Sequence, residues 1–146
     1  MSDLQSPLSP DNPIVKLCVE GMQAEAQGRH GDARQLFARA WESSTDDFEA
    51  CIAAHYLARH QETPQEMLRW NKIAFDRAAA VDDERVRGFY PSLYLNLGFS
   101  YETLGDRERA QRYYHLASGE LHHLPDTPYA ATVRQAIANA LQRLQS

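Results

Sequence analysis

Laid against itself at an offset of 77 residues, the chain repeats five residues or residue types: Gly21 falls on Gly98, Gly28 on Gly105, Ala33 on Ala110, Phe37 on Tyr114 and Ala40 on Ala117. Coincidences at a single offset are the mark of a repeated structural unit. Each matched position has a physical task. Gly21 and Gly98 let two helices approach closely, and Gly28 and Gly105 suit the left-handed turn that ends a helix. The alanines and the aromatic ring form the buried stripe of the helix that follows. The repeated unit is therefore a pair of antiparallel helices, and the chain must fold by stacking such pairs.

No segment alternates apolar and polar residues with period two, whereas several carry apolar residues at spacings of three and four, so the expected fold is all-α. Residues 1–12 read as a flexible leader and 13–146 as one helical-repeat domain. Asn12 and Pro13 open the first helix, which Gly28 ends. Asp32 is the expected cap of a second helix bearing Ala33, Leu36, Phe37, Ala40 and Trp41 and running to about Ser43. Thr45 or Asp46 caps the third, and Thr63-Pro64-Gln65-Glu66 is a capping box for the fourth. Pro91 belongs in the first turn of the fifth, because proline inside a helix costs ~3 kcal/mol. Asp106 caps the sixth, which His122-His123-Leu124-Pro125 closes. Thr127-Pro128 opens the last, with Tyr129, Val133, Ile137, Leu141 and Leu144 as its apolar stripe. Seven helices are therefore expected.

The segment Tyr94-x-x-Leu97-Gly98-x-x-Tyr101, followed by Gly105, Ala110, Tyr114 and Ala117, resembles the tetratricopeptide repeat family. Leu17 to Gly21 with Ala33, Phe37 and Ala40 is similar but has Glu20 and Ala24 where that family has Leu and Tyr. Ala54, Met67, Asn71 and Ala74 take the corresponding places in a middle unit, 34 residues on from the first. The middle-to-last spacing then carries nine extra residues, placed around 80–90. The resemblance covers about residues 14–124 and implies a right-handed stack of three hairpins, over about 13–44, 46–81 and 88–124, plus a capping helix over about 127–145, with the first helix of each hairpin lining a concave groove. It also implies a non-catalytic domain that binds proteins or peptides.

Carried over residue by residue, the groove would show Val15, Cys18, Met22 and Glu25, then Phe48, Cys51, His55 and Arg59, then Ser92, Leu95, Asn96, Phe99 and Glu102. Met22, Phe48, His55, Arg59, Asn96, Phe99 and Glu102 are the candidate binding residues. A mostly apolar surface with a cationic centre suits a helix or extended peptide whose polar group meets Arg59, with Asn96 bonding its backbone. Alternatives are that the chain's tail, its inserted segment or a second copy fills the groove, in a homodimer for instance, that these residues pack within the stack, or that the groove senses a small molecule or signalling peptide. The carboxylate clamp of some family members is not expected, since Cys18, Met22 and Ser92 stand where its basic and amide residues would be.

No catalytic residue, cofactor or metal is expected. No glycine-rich phosphate loop follows a strand and no G-x-S-x-G elbow occurs. His55 and His60 are five apart, and His122 and His123 on a helix would point about 100° apart, so neither makes the i, i+4 pair of a helical zinc site. The acid runs Asp46-Asp47 and Asp82-Asp83-Glu84 read as helix-start carboxylates. Trp41 and Trp70 are expected to pack between neighbouring hairpins. A formal charge of −5 argues against a nucleic-acid partner. The arginine bias of the basic residues, 13 of 15, is consistent with genome composition. Two cysteines suit reduced thiols in the cytoplasm, and no apolar run approaches the ~18 residues of a membrane span.

Overall fold

The computed structural model describes residues 11–81 and 83–145, and all of their regular structure is helical, without a strand. The helices are α1 (Pro13–Ala26), α2 (His30–Ser43), α3 (Asp47–Leu57) continued by a 3-10 turn (Ala58–His60), α4 (Pro64–Val81), α5 (Glu84–Arg87), α6 (Tyr90–Thr103), α7 (Arg107–Gly119), a 3-10 turn (Leu121–His123) and α8 (Pro128–Gln145). The one-turn helix α5 within the inserted segment adds to the seven expected. The chain divides into two compact units, residues 1–86 and 87–146. Of the leader, only residues 11 and 12 lie among the described residues.

In the first unit α1 and α2 form one hairpin and α3 and α4 another, with α3 packed on both α1 and α2. Asn12 starts α1 by accepting the amides of Ile14 (2.8 Å) and Val15 (3.1 Å). The carboxylate of Asp46 caps α3 through Glu49 N–H (2.8 Å), and Glu49 reaches back to Thr45 N–H (2.9 Å). Thr63 caps α4 through Glu66 N–H (3.1 Å). Between the hairpins Trp41 and Trp70 meet edge to face, centroids 5.1 Å apart, as their places on second helices predict.

The second unit is the hairpin α6/α7 with α8 packed chiefly on α7. Pro91 lies in the first turn of α6, Asp106 caps α7 through Arg109 N–H (3.0 Å), and Thr127 caps α8 through Ala130 N–H (3.1 Å). α7 ends at Gly119, earlier than the histidine pair, and those histidines fall in the 3-10 turn. The tighter turn brings the His122 and His123 rings to 4.0 Å rather than splaying them as an α-helix would. The buried stripe of α8 is Ala130, Val133, Ile137, Ala140 and Leu144. Tyr129 is not part of it: the residue is 57% exposed, and its hydroxyl is hydrogen-bonded to Ser92.

The turns of the two matched hairpins are built identically. Gly28 (φ +77°) and Gly105 (φ +84°) take the left-handed conformation. Arg29 N–H bonds Ala24 C=O and Gly28 N–H bonds Glu25 C=O, and Asp106–Tyr101 and Gly105–Glu102 repeat both bonds. This is the Schellman arrangement, which satisfies carbonyls that a helix end leaves open. It closes so tightly that α2 begins at His30 with Arg29 at its N-cap, and Arg29 makes no side-chain cap bond. Asp32 is therefore not the cap; it sits inside the first turn, paired with Arg29 at 2.9 Å.

Candidate functional site

The first helix of each matched hairpin carries the same surface element. Its inner side has the glycine notch: a Cβ on Gly21 would come within 2.4 Å of the Phe37 ring, and one on Gly98 within 2.7 Å of Tyr114. One residue after each notch an apolar side chain faces outward, Met22 at 36% exposure and Phe99 at 51%. Three residues further, nearly one helical turn, stands a glutamate, Glu25 or Glu102.

Both glutamates are held by a later helix. Glu25 accepts from Arg59 and is hydrogen-bonded to His60, on the 3-10 turn after α3. The Arg59 guanidinium lies over Tyr56 (4.9 Å), whose ring stacks on Phe37 (5.1 Å), so notch, ring, ring and cation form consecutive layers. Glu102 accepts both Nε (3.2 Å) and Nη2 (2.9 Å) of Arg143 from α8, and also the hydroxyl of Tyr114 (2.6 Å). The Arg143 guanidinium holds the Glu102 carboxyl below the usual carboxylate range, with Tyr114 adding to the effect. Burial first, then the adjacent carboxylate, raises the Tyr114 phenol well above its ordinary value.

The seven candidate binding residues are divided between the units. Met22, Phe48, His55 and Arg59 belong to the first; Asn96, Phe99 and Glu102 belong to the second. Met22 and Phe99 are outward-facing, as a binding role requires. Phe48 is 6% exposed, with Arg85 from α5 stacked on its ring at 4.9 Å. Arg59 and Glu102 are engaged in the ion pairs above, and Asn96 is half-buried, its carbonyl accepting from Ser100 Oγ (2.8 Å). His55 is half-buried and lies edge-on to Tyr56 (5.2 Å). Burial, aided by the Arg59 cation, pushes its pKa down to about 4 and keeps the ring neutral at pH 7.

Val15, Cys18, Cys51 and Ser92, also expected to line the groove, are buried. Burial pushes both thiols up to about 12, so they pack as small apolar groups and are not nucleophiles. Among the described residues no three His, Cys, Asp or Glu side chains are placed to hold a metal ion, although the His30 and His60 rings lie 6.2 Å apart. A cleft of about 360 Å³ runs between the end of α2, the start of α3 and α4. Arg77 closes one side, bonded to Asp47 (2.9 Å) and stacked over Trp41 (5.3 Å). Among the described residues no helix is long and apolar enough to cross a membrane.

The glutamate latches escaped the sequence reading, although Glu25 falls on Glu102 at the same offset of 77 that aligns the glycines. No family model, curated protein or solved structure matches the chain.

Proposed function

We propose that the chain is a tetratricopeptide-repeat-type scaffold, non-catalytic and cytoplasmic, that binds a protein or peptide through the first helices of its hairpins. The observation that carries this reading is the recurrence of an exposed apolar side chain, Met22 and Phe99, at equivalent places on α1 and α6. A residue that only served packing would be covered, and a large apolar residue left outward in both copies is suited to a partner. The fixed glutamates beside them are compatible with this, because a preorganised polar neighbour costs little further ordering when a ligand arrives. The helical hairpins, the two Schellman glycines and the filled glycine notches add support on the side of fold.

Affinity purification with the wild-type chain and with Met22→Ala and Phe99→Ala tests the reading. Both side chains are outward, so neither change should lower the melting temperature appreciably, and each should reduce recovery of a specific partner severalfold. Unchanged recovery from the double variant would remove the proposed surface. Arg59→Ala is the poorer probe, since it also breaks the contact with Glu25.

A further inference from the structure

The inserted segment places a cation on a residue that the binding reading assigns to a partner. Asp83 holds Arg85 at three points, the backbone N–H (2.9 Å), Nε (3.3 Å) and Nη2 (3.1 Å). So anchored, the guanidinium lies 4.9 Å from the centroid of Phe48, on the second residue of α3. The hydrogen bonds that Arg85 donates to Asp83 and the fields of Asp83 and Asp46 all favour the charged guanidinium at this spot. Glu49, on the same turn of α3 as Phe48, is bonded to the neutral donors Asn12 Nδ2 (2.9 Å) and Thr45 N–H (2.9 Å). Burial raises the Glu49 pKa, but these bonds outweigh it and leave the carboxyl below its ordinary range. An aromatic face bordered by carboxylates is the setting in which a planar guanidinium gains both stacking and paired hydrogen bonds. Yet Arg85 is 48% exposed, and the carboxylate that anchors it lies two residues away at the start of a one-turn helix.

We propose that Arg85 is an intramolecular competitor: the Phe48 face takes an arginine side chain from a basic peptide, and Arg85 occupies that place until displaced. The proposal rests on the peptide-scaffold reading and gives the partner a chemical class. A net charge of −5 agrees with a basic partner. Tethering gives Arg85 an effective concentration on the order of millimolar or more, so a peptide must exceed a high local competition to enter.

A fluorescein-labelled hexa-arginine peptide, titrated into the full chain by anisotropy, is the probe. Arg85→Gln should bind it at least tenfold more tightly than wild type. Arg112→Gln, which removes the same charge from an exposed position in the other unit, should stay within twofold. Hexa-lysine should gain less than threefold from Arg85→Gln, because an ammonium lacks the planar stacking face. Adding Asp46→Asn to Arg85→Gln keeps the helix cap, since Asn caps as well as Asp, and should remove most of the gain. Equal gains for both peptides, or no gain with Arg85→Gln, would overturn the proposal. Loss of partner capture in Met22→Ala and Phe99→Ala alongside a negative hexa-arginine result would leave the scaffold reading standing and this one refuted. A tenfold hexa-arginine gain with unchanged capture in Met22→Ala and Phe99→Ala would support the Phe48 site and remove only the Met22 and Phe99 surface from the scaffold reading.

Discussion

In α1/α2 the ring that fills the glycine notch is Phe37; in α6/α7 it is Tyr114, and the added hydroxyl changes where the neighbouring glutamate finds its partners. Tyr114 reaches Glu102 from within the hairpin, and one arginine from α8 completes the site. Phe37 has no hydroxyl, so both partners of Glu25, Arg59 and His60, come from the next hairpin, with the His60 ring 5.4 Å from Phe37. A second difference sits at the turns. Asp106 caps α7 and pairs with Arg109, whereas the matching position before α2 is Arg29, paired with Asp32 in the opposite sense. One backbone plan thus supports two polarities of charge and two sources of latch. The repeat constrains the contacts that set helix spacing and leaves open the residues that tie one hairpin to its neighbour.

The comparison breaks most completely at the rings. Phe37→Ala or Tyr114→Ala should each cost about 3–5 kcal/mol, because both rings are fully buried against a glycine that cannot move to fill the void. Tryptophan fluorescence separates the two cases in urea unfolding, since Trp41 and Trp70 both belong to the first unit, while circular dichroism follows the whole chain.

Acid should split the units in a defined order. The His55 pKa of about 4 lies below the ordinary 6.5, so the unfolded chain binds the proton first. The stability this neutral ring supports is intact above pH ~6.5, declines as pH falls and is gone near pH 4, a loss of roughly 3 kcal/mol in the first unit. Glu102 acts in the second unit and later: its lowered pKa stabilises above about 4.5 and that contribution disappears only below. His55→Gln should flatten the first unit's fluorescence-detected dependence between pH 6.5 and 4 and leave the second unit's unchanged.

Smaller effects sharpen the contrast. Gly21→Ala and Gly98→Ala should each destabilise by about 1–3 kcal/mol, since the added methyl meets a packed ring at 2.4 or 2.7 Å. Tyr114→Phe should cost about 1–2 kcal/mol by taking a donor from Glu102, and a thermal melt would show it. Smallest and opposite in sign, exchanging Arg29 and Asp32 (Arg29→Asp with Asp32→Arg) should give α2 the cap that α7 has. It should stabilise the first unit by about 1 kcal/mol, and no gain in urea midpoint would show that the two turns differ in more than their charges.

The elements legible in the sequence were those whose cause is local. Asn12, Asp46, Thr63, Asp106 and Thr127 cap where their spacing to the following apolar residues places them, and Gly28 and Gly105 turn where only a left-handed residue fits. Asp32 misled because a cap is defined by where the preceding turn closes, and the turn closed by the bond from Arg29 N–H to Ala24 C=O starts the helix three residues earlier, with Arg29 rather than Asp32 at the N-cap. The apolar part of the candidate surface, Met22 and Phe99, was placed by the groove positions that the resemblance implies. Of its polar part, Glu25, Arg59 and Glu102 were placed but their pairing was not, since Arg59 and Arg143 approach their glutamates from helices outside the repeated pair and fall at no common offset. Phe48 shows the same limit. Its place on α3 was legible, but the arginine that covers it comes from a segment with no counterpart in the repeat.

The two latches also differ in time. Arg59 follows Glu25 by 34 residues, and Arg143 follows Glu102 by 41. A chain made from its amino end has both halves of the first latch, and Phe37 with them, once residue 60 has emerged. The second lacks its arginine until synthesis reaches residue 143. Until then the Tyr114 hydroxyl is at hand for Glu102 and Arg143 is not, so the later hairpin can make its hydroxyl contact before its ion pair.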